Sequence, residues 1–326
     1  MGSYSGSLDE GMANVSYHIY ANLRTKYSDL SLVNVGDAFS LKFWKTIIKF
    51  KPDIIHYIPG PSLKSLALVK LIQIITKARS IISATKPDLP KPRYFRLVSG
   101  ILKPHLVIVQ SKKSEDFFKI MKYGTKFIPN GVNIEKFLPV DKEKKKELRH
   151  KYEFNEEDFI ILHIGPVKNG RNQNSLLQIQ NAKILLVVSV TNPSEKVAYQ
   201  ELLKTRAIVW KKYFPNIQEI YAIADIYAFP VFEELNSIEI PLSVLEAMSC
   251  NLPVITTRYG ALDRILDEGE GLIFIDSPDQ IHSSISRLRS DNYIINTRKK
   301  IESLSWINIA KEISNAYEEI YQKSDR

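Results

Sequence analysis

The sequence SIEIPLSVLEAMSC (residues 237–250) decides the fold of the second half of the chain. Pro241 stands before an apolar run, and proline suits a helix start because its missing N–H would have no partner there. We therefore expect a helix that begins at Leu242 and carries Glu246 one turn in, with Glu239 in the preceding loop. The free N–H groups and the positive dipole end of such a helix start form an anion site.

Buried-strand patterns flank this helix. Residues 224–230 (ADIYAFP) precede it, and residues 253–257 (PVITT) follow it. A strand, a helix and a second strand in this order form a βαβ unit of a parallel sheet. Ligands of such sheets bind at the carboxyl ends of the strands, beside helix starts of this kind. The sequence therefore predicts an α/β fold with a ligand site at Leu242.

Length and composition limit the class of protein. The 326 residues are 44% hydrophobic and 25% charged, which suits a globular chain of two ordinary domains. The most apolar helix candidate, Leu63–Thr76, is interrupted by Lys64 and Lys70, and no run reaches the roughly 20 apolar residues that span a bilayer. There is no secretory signal pattern. A single cysteine, Cys250, excludes an intrachain disulfide and fits a reducing compartment.

The charge of the chain is unevenly placed. Its net charge is +9, but residues 1–138 hold 21 Lys and Arg against 9 Asp and Glu, and residues 139–326 hold 24 against 27. A basic domain attracts nucleic acid, an anionic membrane or a phosphorylated substrate. Nucleic-acid readers usually add aromatic platforms or a recognised module, and we find neither, so no nucleic-acid partner is expected. Lipid phosphate is the favoured partner, and a merely solvated basic surface is the alternative.

The segments PLSVLEAM (241–248) and NLPVITT (251–257) resemble the signature of glycosyltransferase family 4, the group 1 glycosyltransferases. These are retaining enzymes of the GT-B fold that use sugar nucleotides. The family pattern has two acidic residues with seven residues between them, the second followed by Ala-Met. Glu246 matches the second acid, whereas Ile238 stands at the first position and Glu239 comes one residue late.

This resemblance implies roles for the residues of the segment. Glu239 would touch the donor sugar as a catalytic residue if it replaces the first acid, and Glu246 would bind the ribose of the nucleotide. Leu242 and Ser243, at the helix start, would stabilise the departing diphosphate. In the alternative interpretation, Glu239 is a solvated loop charge and Glu246 an exposed helix carboxylate.

Two segments of the first half resemble the same family. PDIIH (52–56) is similar to its Pro-Asp-x-x-His strand, so His56 would be a catalytic residue that contacts the acceptor or the donor sugar; a structural histidine is the alternative. Gly11 lies in a loop before a helix from Val15, where it would allow close approach of the donor or simply turn the chain. No strand precedes this loop, so either the start is clipped or the sheet lacks its usual first strand. Residues 30–35 alternate weakly as a strand.

The loop after the strand at residues 159–165 holds phosphate-binding candidates. The family has a glycine, a basic residue beside it and a second basic residue before the next helix, and both cations grip the donor diphosphate. Counted from Gly165, Arg171 stands at the second basic position, while Pro166 occupies the first and Lys168 is its substitute. Fixed positive charge is what two departing phosphates require. Surface cations on a loop are the alternative.

The resemblance implies the GT-B fold, with two Rossmann-like doubly wound parallel-sheet domains facing a central cleft. Residues 1–140 would form the acceptor-side domain and residues 141–304 the domain that binds the nucleotide sugar. Residues 305–326 would form a C-terminal helix that packs back across the domains.

The predicted activity is that of a metal-independent hexosyltransferase. A UDP- or GDP-sugar would donate its sugar, with retention, to a lipid-linked or glycan acceptor, and no further cofactor is implied. The protein would be cytoplasmic, with an anionic inner membrane face as a peripheral partner of its basic half. One alternative is a catalytically weakened relative that only binds nucleotide or glycan, since the first acid and the first strand are missing. Another is a GT-B enzyme such as a nucleotide-sugar epimerase, which the extended match disfavours.

Overall fold

The computed structural model describes residues 1–2, 11–89, 92–190, 194–290 and 293–322. The chain separates into two compact units. Unit 1 contains the chain up to Gly131, the segment Ser237–Ile240 and the chain from Trp306, and unit 2 contains Val132–Asn236 and Pro241–Ser305. Each unit is built on one parallel sheet with helices. The predicted α/β class with two parallel-sheet domains is thus confirmed.

Unit 1 has a four-stranded parallel sheet in the order β1-β2-β3-β4. Its strands are β1 (Ile54–Gly60), β2 (Arg79–Ala84), β3 (Leu106–Val109) and β4 (Thr125–Phe127). Its first five helices are α1 (Gly11–Leu23), α2 (Leu41–Phe50), α3 (Leu63–Thr76), α4 (Pro92–Val98) and α5 (Lys112–Ile120). Because the strands pair in chain order and right-handed crossovers are the rule, the helices between them lie on one face of the sheet.

Serine side chains begin three of these helices. Ser40 accepts a hydrogen bond from the N–H of Phe43, and Ser62 and Ser111 each form a reciprocal capping box with the serine three residues on. Such caps satisfy N–H groups that have no partner inside the helix. At the other end, Lys51 and Lys77 close α2 and α3 in the left-handed conformation.

The first residues of unit 1 lie beside its sheet. The Met1 amine donates to the His56 carbonyl at 2.6 Å, and Gly2 forms a parallel bridge with Asn34. The strand predicted at residues 30–35 is wrong: the chain there holds only this bridge, followed by a 3-10 turn at Val35–Asp37. The Asn34 side chain accepts from the N–H of Gly36 at 3.1 Å, which turns the backbone out of an extended path.

Unit 2 has a six-stranded parallel sheet in the order β10-β9-β8-β5-β6-β7. The strands are β5 (Ile160–Ile164), β6 (Lys183–Val187), β7 (Ile208–Trp210), β8 (Ile226–Phe229), β9 (Val254–Thr256) and β10 (Leu272–Phe274). The helices are α6 (Lys142–Lys151), α7 (Lys196–Leu202), α8 (Ile217–Ile223), α9 (Leu242–Ser249), α10 (Leu262–Ile265), α11 (Gln280–Leu288) and α12 (Thr297–Ile301). Read along the chain, this is the doubly wound order 3-2-1-4-5-6, whose direction reverses between β5 and β8. That reversal point is where a ligand site is expected.

The last helix, α13 (Trp306–Gln322), belongs to unit 1. It packs on α1, and the Trp306 indole stacks on the His18 ring with centroids 5.3 Å apart. Gly131 makes room for the same indole, because a Cβ there would come within 2.7 Å of it. Within the described ranges, no helix has both the length and the hydropathy needed to cross a membrane.

Candidate nucleotide-sugar site

Arg171 lies at the reversal point of the unit 2 sheet, in the 3-10 turn Asn169–Arg171 that follows β5. Its side chain is buried, 3% exposed. One terminal nitrogen, Nη1, donates to the Asn236 carbonyl at 2.8 Å, and the guanidinium carbon stands 5.2 Å from the centre of the Phe229 ring. The second terminal nitrogen, Nη2, makes two long contacts, each of 3.4 Å, with the Ile164 carbonyl and with Nε2 of His163. A surface loop cation is therefore the wrong description of Arg171.

Gly165 makes this position of the guanidinium possible. It has φ +147°, in the region that favours glycine. A Cβ at Gly165 would come within 2.4 Å of Nη2 of Arg171. The backbone at the end of β5 and the guanidinium thus lie in close contact, and any side chain here would displace the cation.

The buried guanidinium has no anionic partner among the residues that the structure describes. No carboxylate lies within 4 Å of it, and its Nε has no hydrogen-bond partner. Burial lowers the pKa of Arg171 to about 10, which still leaves it charged at neutral pH. A buried charge without a counter-ion destabilises the fold, and a bound anion beside Arg171 would relieve this destabilisation.

His163, on β5, fixes one side of Arg171. Its Nδ1 lies 2.8 Å from the Ala228 carbonyl oxygen, which can only accept, so Nδ1 carries the proton and Nε2 is an acceptor facing Nη2 of Arg171 at 3.4 Å. Burial, together with the charge of Arg171, lowers the pKa of His163 to about 3. The ring is therefore neutral at physiological pH and adds no positive charge to the site.

The start of α9 is the second element of unit 2 that suits an anion. The helix begins at Leu242, as predicted, and Pro241 at its N-cap position offers no side chain to the free N–H groups. Ser243 has its hydroxyl held by Tyr227, whose OH donates to it at 2.7 Å. The Val244 N–H donates to the Pro241 carbonyl at 3.2 Å, so the N–H groups of Leu242 and Ser243 are the ones that could meet a ligand oxygen.

Glu246 lies one turn further along α9 and is partly exposed. Tyr221, on α8, donates to its Oε2 at 2.7 Å. Burial of the carboxyl raises the pKa of Glu246, and the Tyr221 hydrogen bond and the charge of Lys136 oppose that rise. One carboxylate oxygen of Glu246 is thus oriented by Tyr221.

Tyr227 connects the start of α9 to the sheet. It lies on β8, and its hydroxyl donates to Ser243 Oγ at 2.7 Å. The Ser243 side chain is therefore held by the strand at the reversal point. Lys168, the second phosphate candidate, is partly exposed at the start of the Arg171 turn, and its backbone N–H bonds to Gln173.

Glu239 belongs to unit 1, whereas α9 belongs to unit 2. Its side chain is 2% exposed, and Ser111 Oγ donates to its Oε1 at 2.7 Å. Its backbone N–H donates to the Thr85 carbonyl at 2.9 Å, and Asn130 holds the neighbouring Ile240 carbonyl at 3.1 Å. The segment Ser237–Ile240 is thus fastened to the carboxyl edge of the unit 1 sheet. The solvated loop charge considered from sequence is the wrong description of Glu239.

Gly11 belongs to the same region of unit 1. It is the first residue of α1, and the nearest atom to a Cβ built there is Cδ1 of Ile238, at 3.4 Å. Gly11 therefore allows the Ser237–Ile240 segment to pack closely against the start of α1.

His56 is a buried residue of β1 with both ring nitrogens occupied. Nδ1 lies 2.8 Å from the Tyr317 hydroxyl and Nε2 lies 2.7 Å from Ser83 Oγ. Burial, together with the Met1 amine, lowers the pKa of His56 to about 3. A cavity of about 930 Å³ beside it is lined by α1, α2, β1 and α13. This arrangement favours the structural alternative over contact with a reacting sugar.

Sequence reasoning missed Tyr221 and Tyr227. Both tyrosines stand in otherwise apolar segments, which predicts that they are buried. A buried tyrosine hydroxyl needs a hydrogen-bond partner, so the sequence did contain a signal for polar residues nearby. The partners are Glu246 and Ser243, two of the predicted site residues. The two tyrosine hydroxyls therefore hold two of the predicted site residues in place.

Comparisons with known proteins address the family of this chain. Residues 160–291 match the family described as glycosyl transferases group 1. An uncharacterized glycosyltransferase of Methanocaldococcus jannaschii is 29% identical over 65% of this chain and 59% of its own length. The alpha-galactosylglucosyldiacylglycerol synthase of Streptococcus pneumoniae is 23% identical over 46% and 42%. This chain spans about half the length of the curated relatives it matches.

Solved structures with the same fold include HepE of Anabaena, determined in complex with UDP-glucose. It superposes with a TM-score of 0.74 over 97% of this chain and 98% of HepE, at 15% identity. The sucrose-phosphate synthase of Thermosynechococcus elongatus superposes with a TM-score of 0.69 at 19% identity, over 90% and 82%. At this identity the likeness establishes the fold, which is that of the GT-B glycosyltransferases.

Proposed function

We propose that the chain transfers a hexose from a UDP- or GDP-sugar to a lipid-linked or glycan acceptor, with retention and without a metal ion. The match of residues 160–291 to the family described as glycosyl transferases group 1 supports this proposal. The observation that carries this proposal is Arg171. It is a buried cation with no carboxylate within 4 Å among the described residues, and it lies at the reversal point of the sheet, in the same unit as an uncapped helix start.

We assign the diphosphate of the donor to these positive groups. Arg171 Nε and Nη2 and the N–H groups of Leu242 and Ser243 would donate hydrogen bonds to its oxygens, and the partly exposed Lys168 would be the second cation. Glu246, held by Tyr221, would accept hydrogen bonds from the ribose hydroxyls. Charge-assisted bonds of this kind favour the departing diphosphate more than the intact donor, because negative charge grows on it as the bond breaks.

The proposed step exchanges one bond for another at the anomeric carbon. The bond between that carbon and the β-phosphate oxygen breaks, and the bond to the acceptor hydroxyl oxygen forms on the same face. The acceptor proton passes to the departing diphosphate, so no enzyme nucleophile is required. Preorganised cations and dipoles supply the stabilisation for which other enzymes use a metal.

The acceptor is proposed to be lipid-linked or a glycan. Two curated relatives are named as synthases of glycosylated diacylglycerols, from Streptococcus pneumoniae and from Acholeplasma laidlawii. The strongly basic first half of this chain suits an acceptor that carries phosphate or lies at an anionic surface.

A second candidate function is nucleotide binding without transfer. It is favoured by Glu239, whose carboxylate is held by Ser111 in unit 1 while no acid stands at residue 238. A transferase needs a group that recognises the donor sugar, whereas a nucleotide-binding protein needs only the unit 2 elements.

Nucleotide release separates the two functions. We expect the chain to release UDP or GDP from at least one of a panel of hexose donors when lipid extract is present, and Glu246→Ala to abolish release while leaving the unfolding midpoint within a few degrees. UDP binding without release from any donor would establish the binding function instead. Full activity of Glu246→Ala would show that the site is misassigned.

A further inference from the structure

The helices α2 and α3 of unit 1 expose large apolar side chains. Phe39, just before α2, is fully exposed, and Leu41 and Ile48 on α2 are 79% and 51% exposed. On α3, Leu71 and Ile74 are 46% and 56% exposed. Single exposed apolar residues are ordinary, but a group of them on two neighbouring helices marks an interaction surface.

These residues lie on the outer side of one helix layer. Phe43 and Ile47 of α2 and Ile72 of α3 share a core cluster with Ile55 of β1, so the two helices pack together on the sheet. The exposed residues occupy the opposite sides of the same helices, because helix faces repeat at three- and four-residue spacing. We call this outer side the α2–α3 surface; its apolar members are Phe39, Leu41, Ile48, Leu63, Leu71, Ile74 and Ile75.

The same surface is cationic and nearly free of acids. Lys42, Lys45 and Lys49 follow the exposed side of α2, and in the described part of the chain none of them is within 4 Å of a carboxylate. Residues 38–87 contain nine Lys and Arg against one acid, Asp53. Lysines on one side of an apolar stripe are the pattern of helices that lie in a membrane interface, with apolar side chains among the acyl chains and ammonium groups at the phosphates.

We propose that the α2–α3 surface docks on an anionic lipid bilayer. A second copy of this chain is a poorer occupant, because apposed copies would bring lysine against lysine. An anionic bilayer supplies both an apolar layer and the opposite charge, and it would place unit 1 where lipid-linked acceptors are found. No nucleotide sugar is needed for this docking, so it can be tested apart from the proposed transfer.

The test is binding of the full chain to vesicles of phosphatidylcholine with and without about 30% phosphatidylglycerol, by sedimentation at several salt concentrations. We expect binding to the anionic vesicles only, weakened by salt. The triple change Lys42→Gln, Lys45→Gln, Lys49→Gln should lower the apparent affinity on the order of 100-fold, since each surface lysine contributes about fivefold. Phe39→Ser with Leu41→Gln should lower it at least about tenfold, because both side chains would leave the acyl layer.

The matched control lies on α6 of unit 2. Lys142, Lys144 and Lys146 are also three exposed lysines on one helix, but Glu143 and Glu147 accompany them. Changing these three to Gln should leave vesicle affinity within about twofold, although the net charge falls equally. Equal loss in both triple variants, or equal binding to neutral vesicles, would overturn the proposal. So would self-association of the chain that Phe39→Ser abolishes, which would assign the surface to a second copy.

Discussion

Removal of the Arg171 side chain tests the central feature of the proposed site. Nη1 is held by the Asn236 carbonyl, while Nε is unpartnered and Nη2 makes only long contacts. Arg171→Ala therefore removes one to two charge-assisted hydrogen bonds to a bound diphosphate, about 3 kcal/mol in all. That corresponds to roughly 150-fold weaker UDP binding. In the reaction, loss of a donor to the developing charge should lower kcat by about 10²–10³.

The assay is unfolding with and without UDP. At a UDP concentration of about 100 times its Kd, the native chain gains about 2.7 kcal/mol of stability. If binding by Arg171→Ala is 150-fold weaker, the gain at the same concentration falls to about 0.3 kcal/mol. Without UDP the variant should unfold close to the native chain, because the lost Asn236 contact is offset by relief of an uncompensated buried charge. An undiminished gain with UDP in Arg171→Ala would refute the assignment.

Arg149 is the matched control, since it is a second buried arginine of unit 2. It pairs with Asp225 at 2.7 Å and donates to the Ile223 carbonyl at 3.1 Å. Arg149→Ala leaves Asp225 with one cation, Lys145, and the N–H of Ile160 among the described residues, so unfolding should become easier by about 3 kcal/mol. Its gain with UDP should stay near that of the native chain. The two variants thus separate a structural arginine from a ligand-binding one.

A glycine pair tests the same site without changing its charge. Gly165→Ala places a methyl group 2.4 Å from Nη2 of Arg171, whereas nothing lies within 4 Å of a Cβ at Gly269. Both positions have positive φ, so both variants carry backbone strain of about 1–3 kcal/mol. Only Gly165→Ala should also lose most of the stabilisation that UDP gives to the native chain. Equal stabilisation of the two variants by UDP would show that UDP binding does not depend on the position of the Arg171 guanidinium.

Two further predictions concern pH. Tyr221→Phe removes a hydrogen bond that opposes the raised pKa of Glu246, so the acid limb of the activity profile should move to higher pH; an unmoved limb would mean that this carboxylate does not control activity. His56 has its pKa lowered to about 3 in the fold but takes up a proton near 6.5 when unfolded, so its contribution to stability is present above pH 6.5 and is lost as the pH falls toward 3. Between pH 7 and pH 5, the free energy of unfolding in urea should fall by about 2 kcal/mol less in His56→Gln than in the native chain. In the control His282→Gln, at an exposed histidine, the fall should equal that of the native chain.

The sequence predicts the unit 2 strands and α9 well because their signals are local. Buried parallel strands read as short apolar runs, and proline before an apolar helix marks its start. The segment at residues 30–35 fails for a physical reason, since alternation alone does not outweigh the turn that Asn34 makes with its own side chain. Local pattern therefore predicts elements where burial is strong and misses those where a side chain redirects the backbone.

The candidate site is predicted less completely, because its geometry depends on distant partners. Arg171 is expected on a loop, but only the fold shows that β8 covers it with Phe229. His56 matches a family position, yet its ring is held by Tyr317, 261 residues away. Spacing in a sequence identifies candidates, whereas their exposure and free hydrogen-bonding atoms are properties of the packed chain.

The two acids of the central segment make the same point about mechanism. Glu239 and Glu246 are separated by six residues, but the fold assigns them to different units, with Glu239 held by Ser111 and Glu246 by Tyr221. Each carboxylate is therefore oriented by the core of its own unit and not by the other acid. Glu246 and Ser243 are each held by a tyrosine of unit 2, Tyr221 and Tyr227, and Arg171 lies in the same unit. Under the proposed function, the nucleotide of the donor would therefore be bound by residues of unit 2, whereas any part that Glu239 plays in sugar transfer would depend on unit 1.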